Sequence, residues 1–143
     1  MIHVPLCVLD TMVVVSGIIG QVGASDALTL LAFETGKANL SLSDACLREY
    51  AAVLAREFFT QKNPQPERIF RAGLMIGLEG KLYRPKRLDW DSLSDKKDWW
   101  MLDLAFDSGA DFIVTRDKKV LKAANASGFV ALKPPEFLKQ LQH

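Results

Sequence analysis

The chain has 143 residues, 49% hydrophobic and 24% charged, with a formal net charge of +1. That length fits one domain, residues 1–143, able to bury about two thirds of its unfolded surface, with no need of a linker or a second domain. The near-neutral balance excludes a global basic field of the kind that announces a nucleic-acid binder, so any such role must rest on local patches.

In chain order, short β-rich runs alternate with longer helical patterns. "PLCVL" reads as a buried strand, and Thr11 to Leu31 as helical material broken around Gly20 and Gly23. "KANLSL" is a second strand, followed by Ser43 as a helix cap and a helix from Asp44 to about Gln61, which ends before the breaker "NPQP". A helix over Glu67 to Leu78 closed by Gly80, a third strand at "KLYRP", and a polar segment "KRLDWDSLS" come next. Asp95 to Ser108 reads as a helix, "DFIVT" as a strand, and Asp117 to Ala124 as a helix closed near Gly128. "FVAL" and "PPEFLKQL" complete the order, the latter a short helix with proline in its first turn. This alternation predicts an α/β fold with a central parallel β-sheet flanked by helices on both faces.

The two cysteines, Cys7 and Cys46, lie in apolar contexts and read as reduced core thiols of a cytoplasmic protein. The apolar first twenty residues lack a basic n-region and are interrupted by Asp10, which argues against a signal peptide and a membrane span.

Asp10 raises the functional question, because an unpaired buried carboxylate is costly. In parallel sheets the ligand site lies at the carboxyl ends of the strands. Asp10 ends the first strand and Asp117 follows "FIVT", so both acids should reach the same edge. On the helix from Asp95, Asp98 falls in the middle of the arc of Met101, Leu102, Ala105 and Phe106, the face expected to pack on the sheet, with Asp95 on the same side and Lys96, Asp103 and Asp107 opposite. Glu49 has Ala45, Cys46, Ala52 and Val53 at its i±3 and i±4 positions, so no cation of its own helix can pair with it.

These acids carry a resemblance. "VLDTMVVVSGI", "CLREYAAVLAR", "DKKDWWMLDLAFDSGADFIVTRD" and "LKPPEFLKQL" resemble, in order and nearly end to end, segments of PIN-domain ribonucleases of the kind found as VapC-like toxins of toxin–antitoxin pairs. The resemblance implies a single PIN-like domain and a metal-dependent endoribonuclease that hydrolyses RNA phosphodiester bonds. It puts Asp10, Glu49, Asp98 and Asp117 on the family's acidic metal site and makes Asp95 a candidate fifth member. Thr115 takes the supporting hydroxyl position, with Thr11 beside Asp10. One departure stands out: Met12 occupies a position where the family usually has Asn after "DT".

Gathered carboxylates repel one another at neutral pH, and Mg²⁺ or Mn²⁺ is the expected occupant that relieves the repulsion. Such ions serve hydrolysis by acidifying a water and offsetting charge on the phosphodiester. The implied partners are the RNA substrate, a cognate antitoxin and a second copy in a homodimer. Arg116, Lys118 and Lys119 are candidate phosphate contacts, although runs of charge more commonly mean a solvated surface. Trp90, Trp99 and Trp100 read mainly as structural or interface residues, with Trp100 on the outward side of its helix.

Each acid also has a plain structural role open to it: Asp10 in a turn, Asp117 as a helix cap paired with Arg116, Asp95 as an N-terminal helix charge and Glu49 bridged to a distant arginine. Of rival functions, a haloacid dehalogenase-type phosphatase needs an acid where Met12 stands, a receiver has no use for Asp98, and a dinucleotide enzyme lacks its glycine fingerprint. The alternative left by Met12 is a catalytically weak or inactive PIN-like module that binds RNA or a partner protein.

Overall fold

A computed structural model of the chain describes residues 3–20, 23–60, 73, 76, 77 and 80–142. Five strands form one sheet: β1 (Leu6–Leu9), β2 (Asn39–Leu42), β3 (Gly80–Leu82), β4 (Phe112–Val114) and β5 (Ala131–Leu132). Their order is β3-β2-β1-β4-β5, and every pairing is parallel. Six helices are bounded by described residues: α1 (Thr11–Ile19), α2 (Ser25–Glu34), α3 (Asp44–Thr60), α4 (Trp99–Ser108), α5 (Lys118–Ala126) and α6 (Pro134–Gln140). A 3-10 turn, Lys96–Asp98, leads into α4. The helix anticipated over 67–78 lies, apart from residues 73, 76 and 77, outside the described residues.

The central strands are apolar on both faces because helices cover both. Cys7, Val8, Leu9, Leu40 and Val114 are fully buried, the composition a doubly covered parallel sheet requires. α1 packs on α2 and α3, α2 on α6, while α4 lies across β1, β2 and β4. Strand order reverses at β1, so right-handed crossovers carry the connections of the two halves over opposite faces. The same reversal makes the carboxyl end of β1 a topological switch point, the place where parallel sheets open a crevice.

Each strand is shorter than its sequence run, two of them for a visible local reason. "KANLSL" pairs only from Asn39, because Gly36, at φ 78°, still belongs to the turn that ends α2. "KLYRP" contributes only its first residues to β3, an edge strand whose Leu82 is exposed and which stops before Pro85. α4 ends where Gly109 adopts a left-handed φ of 65° and returns its amide to the Ala105 carbonyl. Among the described residues no helix is long and apolar enough to cross a membrane.

Candidate functional site

β1 and β4 are neighbours, paired Leu9 to Val114. The ladder continues one residue further, with the Asp10 amide donating to the Val114 carbonyl (3.0 Å) and the Thr115 amide to that of Leu132 (3.0 Å). Asp10 and Thr115 are therefore held side by side by backbone before their side chains interact. Thr115 is fully buried. Its hydroxyl donates to Asp10 Oδ2 at 2.5 Å and accepts the Asp117 amide at 3.0 Å. One buried hydroxyl thus sits between two acids. Asp117 caps α5, accepting from the Lys119 and Val120 amides (2.8 and 3.2 Å), both on Oδ1. Thr11, buried, follows Asp10 in the first turn of α1, and Met12 beside it is 54% exposed.

Mutual repulsion couples the acids of this group. Burial raises the Asp10 carboxyl above its ordinary value; the Thr115 hydroxyl opposes the shift, the Asp117 charge adds to it, and the Met12 and Thr11 amides favour ionisation. Asp98, half-buried in the 3-10 turn, is pushed up to about 6 by burial and then by the charges of Asp10, Asp95 and Asp117, against the pull of Lys97. Asp10, Asp98 and Asp117 thus form one electrostatic cluster drawn from β1, the 3-10 turn and the loop after β4. Asp95 caps that turn through the Lys97 amide (3.2 Å) and meets Lys97 Nζ at 3.5 Å. Glu49 stands apart, exposed on α3 in the wall of a neighbouring groove.

The donors suit a hard divalent cation in kind, being carboxylate oxygens whose mutual repulsion a cation would relieve. Among the described residues, though, no group of three or more His, Cys, Asp or Glu is gathered closely enough to hold a metal ion. The side chains present a cluster and stop short of a closed cage.

The other expected contacts are distributed differently. Arg116 turns to α2, where its Nε and Nη2 bond Asp26 Oδ1 (3.1 and 2.7 Å) and Nη2 also reaches Ser25 Oγ (2.7 Å). Asp26 is buried, so Arg116 pairs with it rather than with Asp117. Lys118 and Lys119 are exposed in the first turn of α5. Trp100, expected outward, is half-buried, with its ring edge-on to Tyr50 at 6.0 Å between centroids. Asp103, expected on a solvated face, is buried and accepts from the Leu88 amide (3.0 Å) and Trp90 Nε1 (2.8 Å). Phe106, expected against the sheet, is 64% exposed.

Sequence reasoning passed over Tyr50. Its hydroxyl donates to the carbonyl of Leu9, the residue before Asp10, at a point beyond the Leu6 and Cys7 positions paired with β2. A buried carbonyl at a strand end needs such a donor. Tyr50 thereby ties α3, the helix of Glu49, to the strand that ends in Asp10. The available signal was an aromatic hydroxyl four residues after Cys46 on the apolar side of α3. The thiols are inert by comparison: both are free and buried, and burial pushes Cys7 far up and Cys46 to about 11.

The family profile described as PIN domain matches residues 7–119. No curated protein matches the chain. Among solved structures, the chain is similar to one from the crystal structure of VapBC2 from Rickettsia felis bound to a DNA fragment from their promoter. The TM-score is 0.55 at 12% identity, over 90% of this chain and 98% of that one. At that identity the likeness is one of fold.

Proposed function

The chain belongs to the PIN-domain family, and from that premise we propose that it is a metal-dependent endoribonuclease, the toxin of a toxin–antitoxin pair. The observation that carries the reading is the convergence of Asp10, Asp98 and Asp117 at the carboxyl edge of the sheet, with Thr115 shared between two of them. An acid cluster kept at a sheet edge with its charges opposed, rather than paired with cations, is arranged for something that binds it.

Mg²⁺ or Mn²⁺ would be held by Asp10, Asp98 and Asp117, with Asp95 at the margin, while Glu49, the remaining acid of the resemblance, stands on the wall of the neighbouring groove. When bound, such an ion offsets the phosphodiester charge and acidifies a water. Thr115 donates to Asp10 Oδ2 and so fixes that carboxylate. Capping by Oδ1 orients Asp117 in the same way. Thr11 supports the first turn of α1 behind Asp10. Asp98 keeps its proton up to about pH 6, so the cluster reaches full charge only near neutrality. Lys118 and Lys119 follow Asp117 directly in the first turn of α5 and would meet phosphate there, while Arg116, held by Asp26, steadies the loop that carries Asp117. Hydrolysis adds water across the P–O3′ bond: the hydroxyl oxygen goes to phosphorus, and the proton goes to the departing 3′ oxygen.

The VapBC2 likeness supports a protein antitoxin as partner, and self-association into a homodimer is part of the same reading. Reduced buried thiols suit the cytoplasm. The alternative is a PIN-like module of weak or absent catalysis, and Met12, exposed beside Asp10 in place of a polar side chain, favours it. Incubation of labelled RNA with Mn²⁺ separates the two: the nuclease produces fragments that Asp98→Asn abolishes, and the module produces none.

A further inference from the structure

Tyr50, buried on α3, meets two other elements at once. Its hydroxyl donates to the carbonyl of Leu9, the last residue of β1, and the Cys46 thiol, one turn earlier on α3, bonds the same phenol oxygen. Its ring stands at 84° to that of Trp100, with 6.0 Å between centroids. Each outward contact ends close to an acid. Leu9 precedes Asp10, and Trp100, in the first turn of α4, follows Asp98 by two residues. Asp10 and Asp98 repel one another, so neither can hold the other in place, and their separation has to be set by the scaffold beneath them. Tyr50 spans that scaffold.

The parts it joins are themselves fixed. Leu9 is paired with Val114, and the next amide, that of Asp10, donates to the Val114 carbonyl at 3.0 Å. At the start of α3 the Ser43 hydroxyl accepts the Cys46 amide at 3.2 Å. On the far side the Trp99 indole N–H donates to the Leu93 carbonyl at 2.6 Å, and Asp95 caps the turn that carries Asp98. An aromatic pair packed between such parts transmits a displacement rather than absorbing it, because protein interiors are dense and little compressible. Phenylalanine would fill nearly the same space as Tyr50. The hydroxyl is what seats the ring on β1, since a buried carbonyl at a strand end requires a donor.

We propose that Tyr50 is the positioning residue of the acidic edge: with its hydroxyl on the Leu9 carbonyl and its ring against Trp100, it fixes the separation between Asp10 and Asp98. The inference rests on the reading of that edge as a cation site and adds the residue that sets its span. Tyr50 acts through Leu9 and Trp100, with its hydroxyl already engaged, and reaches neither ion nor substrate. Its removal should therefore loosen the acids without removing any of them.

The first arm of the test needs no metal. In metal-free buffer at pH 7, Asp98→Asn relieves the repulsion and should raise the melting temperature of the parent by about 3 °C. In a Tyr50→Phe background the ring and Trp100 can draw back from β1 with the turn. The same Asp98→Asn substitution should then gain about half as much or less, the non-additivity expected of residues in one network. Trp100→Leu, which breaks the link at its other end, should shrink the gain in the same way. Phe137→Leu, at a fully buried position on α6, weakens the core alone and should leave the gain intact. If Asp98→Asn acts equally in the parent and in Tyr50→Phe, Tyr50 is an ordinary core residue. The second arm is titration calorimetry at pH 7.5, where Tyr50→Phe should bind Mn²⁺ about tenfold more weakly, the low end for residues that orient ligands from behind, while Phe137→Leu binds it as the parent does. A Tyr50→Phe protein that binds Mn²⁺ as tightly as the parent would refute the proposal as well. Coupling between Tyr50 and Asp98 in a parent that neither binds Mn²⁺ nor cleaves RNA would instead overturn the ribonuclease reading and leave Tyr50 as the residue that spaces the acids.

Discussion

Asp98 is the residue at which stability and function pull apart. Its carboxyl is held at about 6, roughly two units above an ordinary aspartate, by burial and by Asp10, Asp95 and Asp117. The folded protein therefore binds this proton more tightly than the unfolded chain does. The resulting stability is complete below about pH 4 and disappears as pH rises through about 6. Two units correspond to at most about 3 kcal/mol, and because Asp98 is only half-buried, solvent screening reduces this to ~1 kcal/mol. Asp98→Asn removes the charge and keeps the shape. In metal-free buffer at pH 7 it should raise the melting temperature by about 3 °C, as expected for ~1 kcal/mol in a domain of this size. Below about pH 4 the two proteins should converge, because the carboxyl is then protonated in the folded and the unfolded chain alike. Paired thermal melts at the two pH values test the stability half, and cleavage of labelled RNA with Mn²⁺ on the same preparations tests the other, where Asp98→Asn should be inert. A variant less stable than the parent at pH 7 without metal would mean that Asp98 has a cationic partner and belongs to the scaffold.

Millimolar Mn²⁺ or Mg²⁺ should raise the melting temperature of the parent, more at pH 7.5 than at pH 5, since protons compete for Asp98 below about 6; titration calorimetry at both pH values measures this. Thr115→Val deletes the donor to Asp10 and the acceptor of the Asp117 amide at a fully buried position. It should cost ~2 kcal/mol in urea unfolding and weaken Mn²⁺ binding, whereas Thr115→Ser should restore most of both. Arg116→Ala strands the buried Asp26 carboxylate. It should cost ~2 kcal/mol in urea unfolding, less than for a fully buried pair because the guanidinium is half exposed.

The parts of this protein that depend on local pattern were legible in the sequence. Strand ends locate Asp10 and Asp117, because an apolar run of four or five residues closed by a polar one fixes both the strand and the edge its last side chain reaches. The helical-wheel reading of Asp98 rested on one continuous helix from Asp95. The chain instead makes a 3-10 turn over 96–98, which advances 120° per residue in place of 100° and rotates Asp98 relative to α4. Asp103 and Phe106 were misjudged for a different reason. The segment "KRLDWDSLS" folds back on α4 and brings the Leu88 amide and the Trp90 indole to Asp103, a tertiary event that no periodicity records. Arg116 and Asp26 are 90 residues apart, so their pairing was beyond any local pattern. Glu49, placed on the right helix by its surroundings, is left exposed on a wall of the groove, since a wheel gives direction about an axis and not reach across a site.

β1 occupies the middle of the five-stranded order, and the Asp10 amide is bonded across to Val114. An amide at the rim of a sheet would exchange with solvent by fraying, but this one can open only if the central strand separates from its neighbour, an event close to global unfolding. Deuterium uptake at Asp10 should therefore follow the stability of the whole domain, while the amides of the 3-10 turn that carries Asp98 exchange through small local openings. The acids thus belong to cooperative units of very different strength, and in the metal-free protein any relief of their repulsion has to come from the Asp98 side.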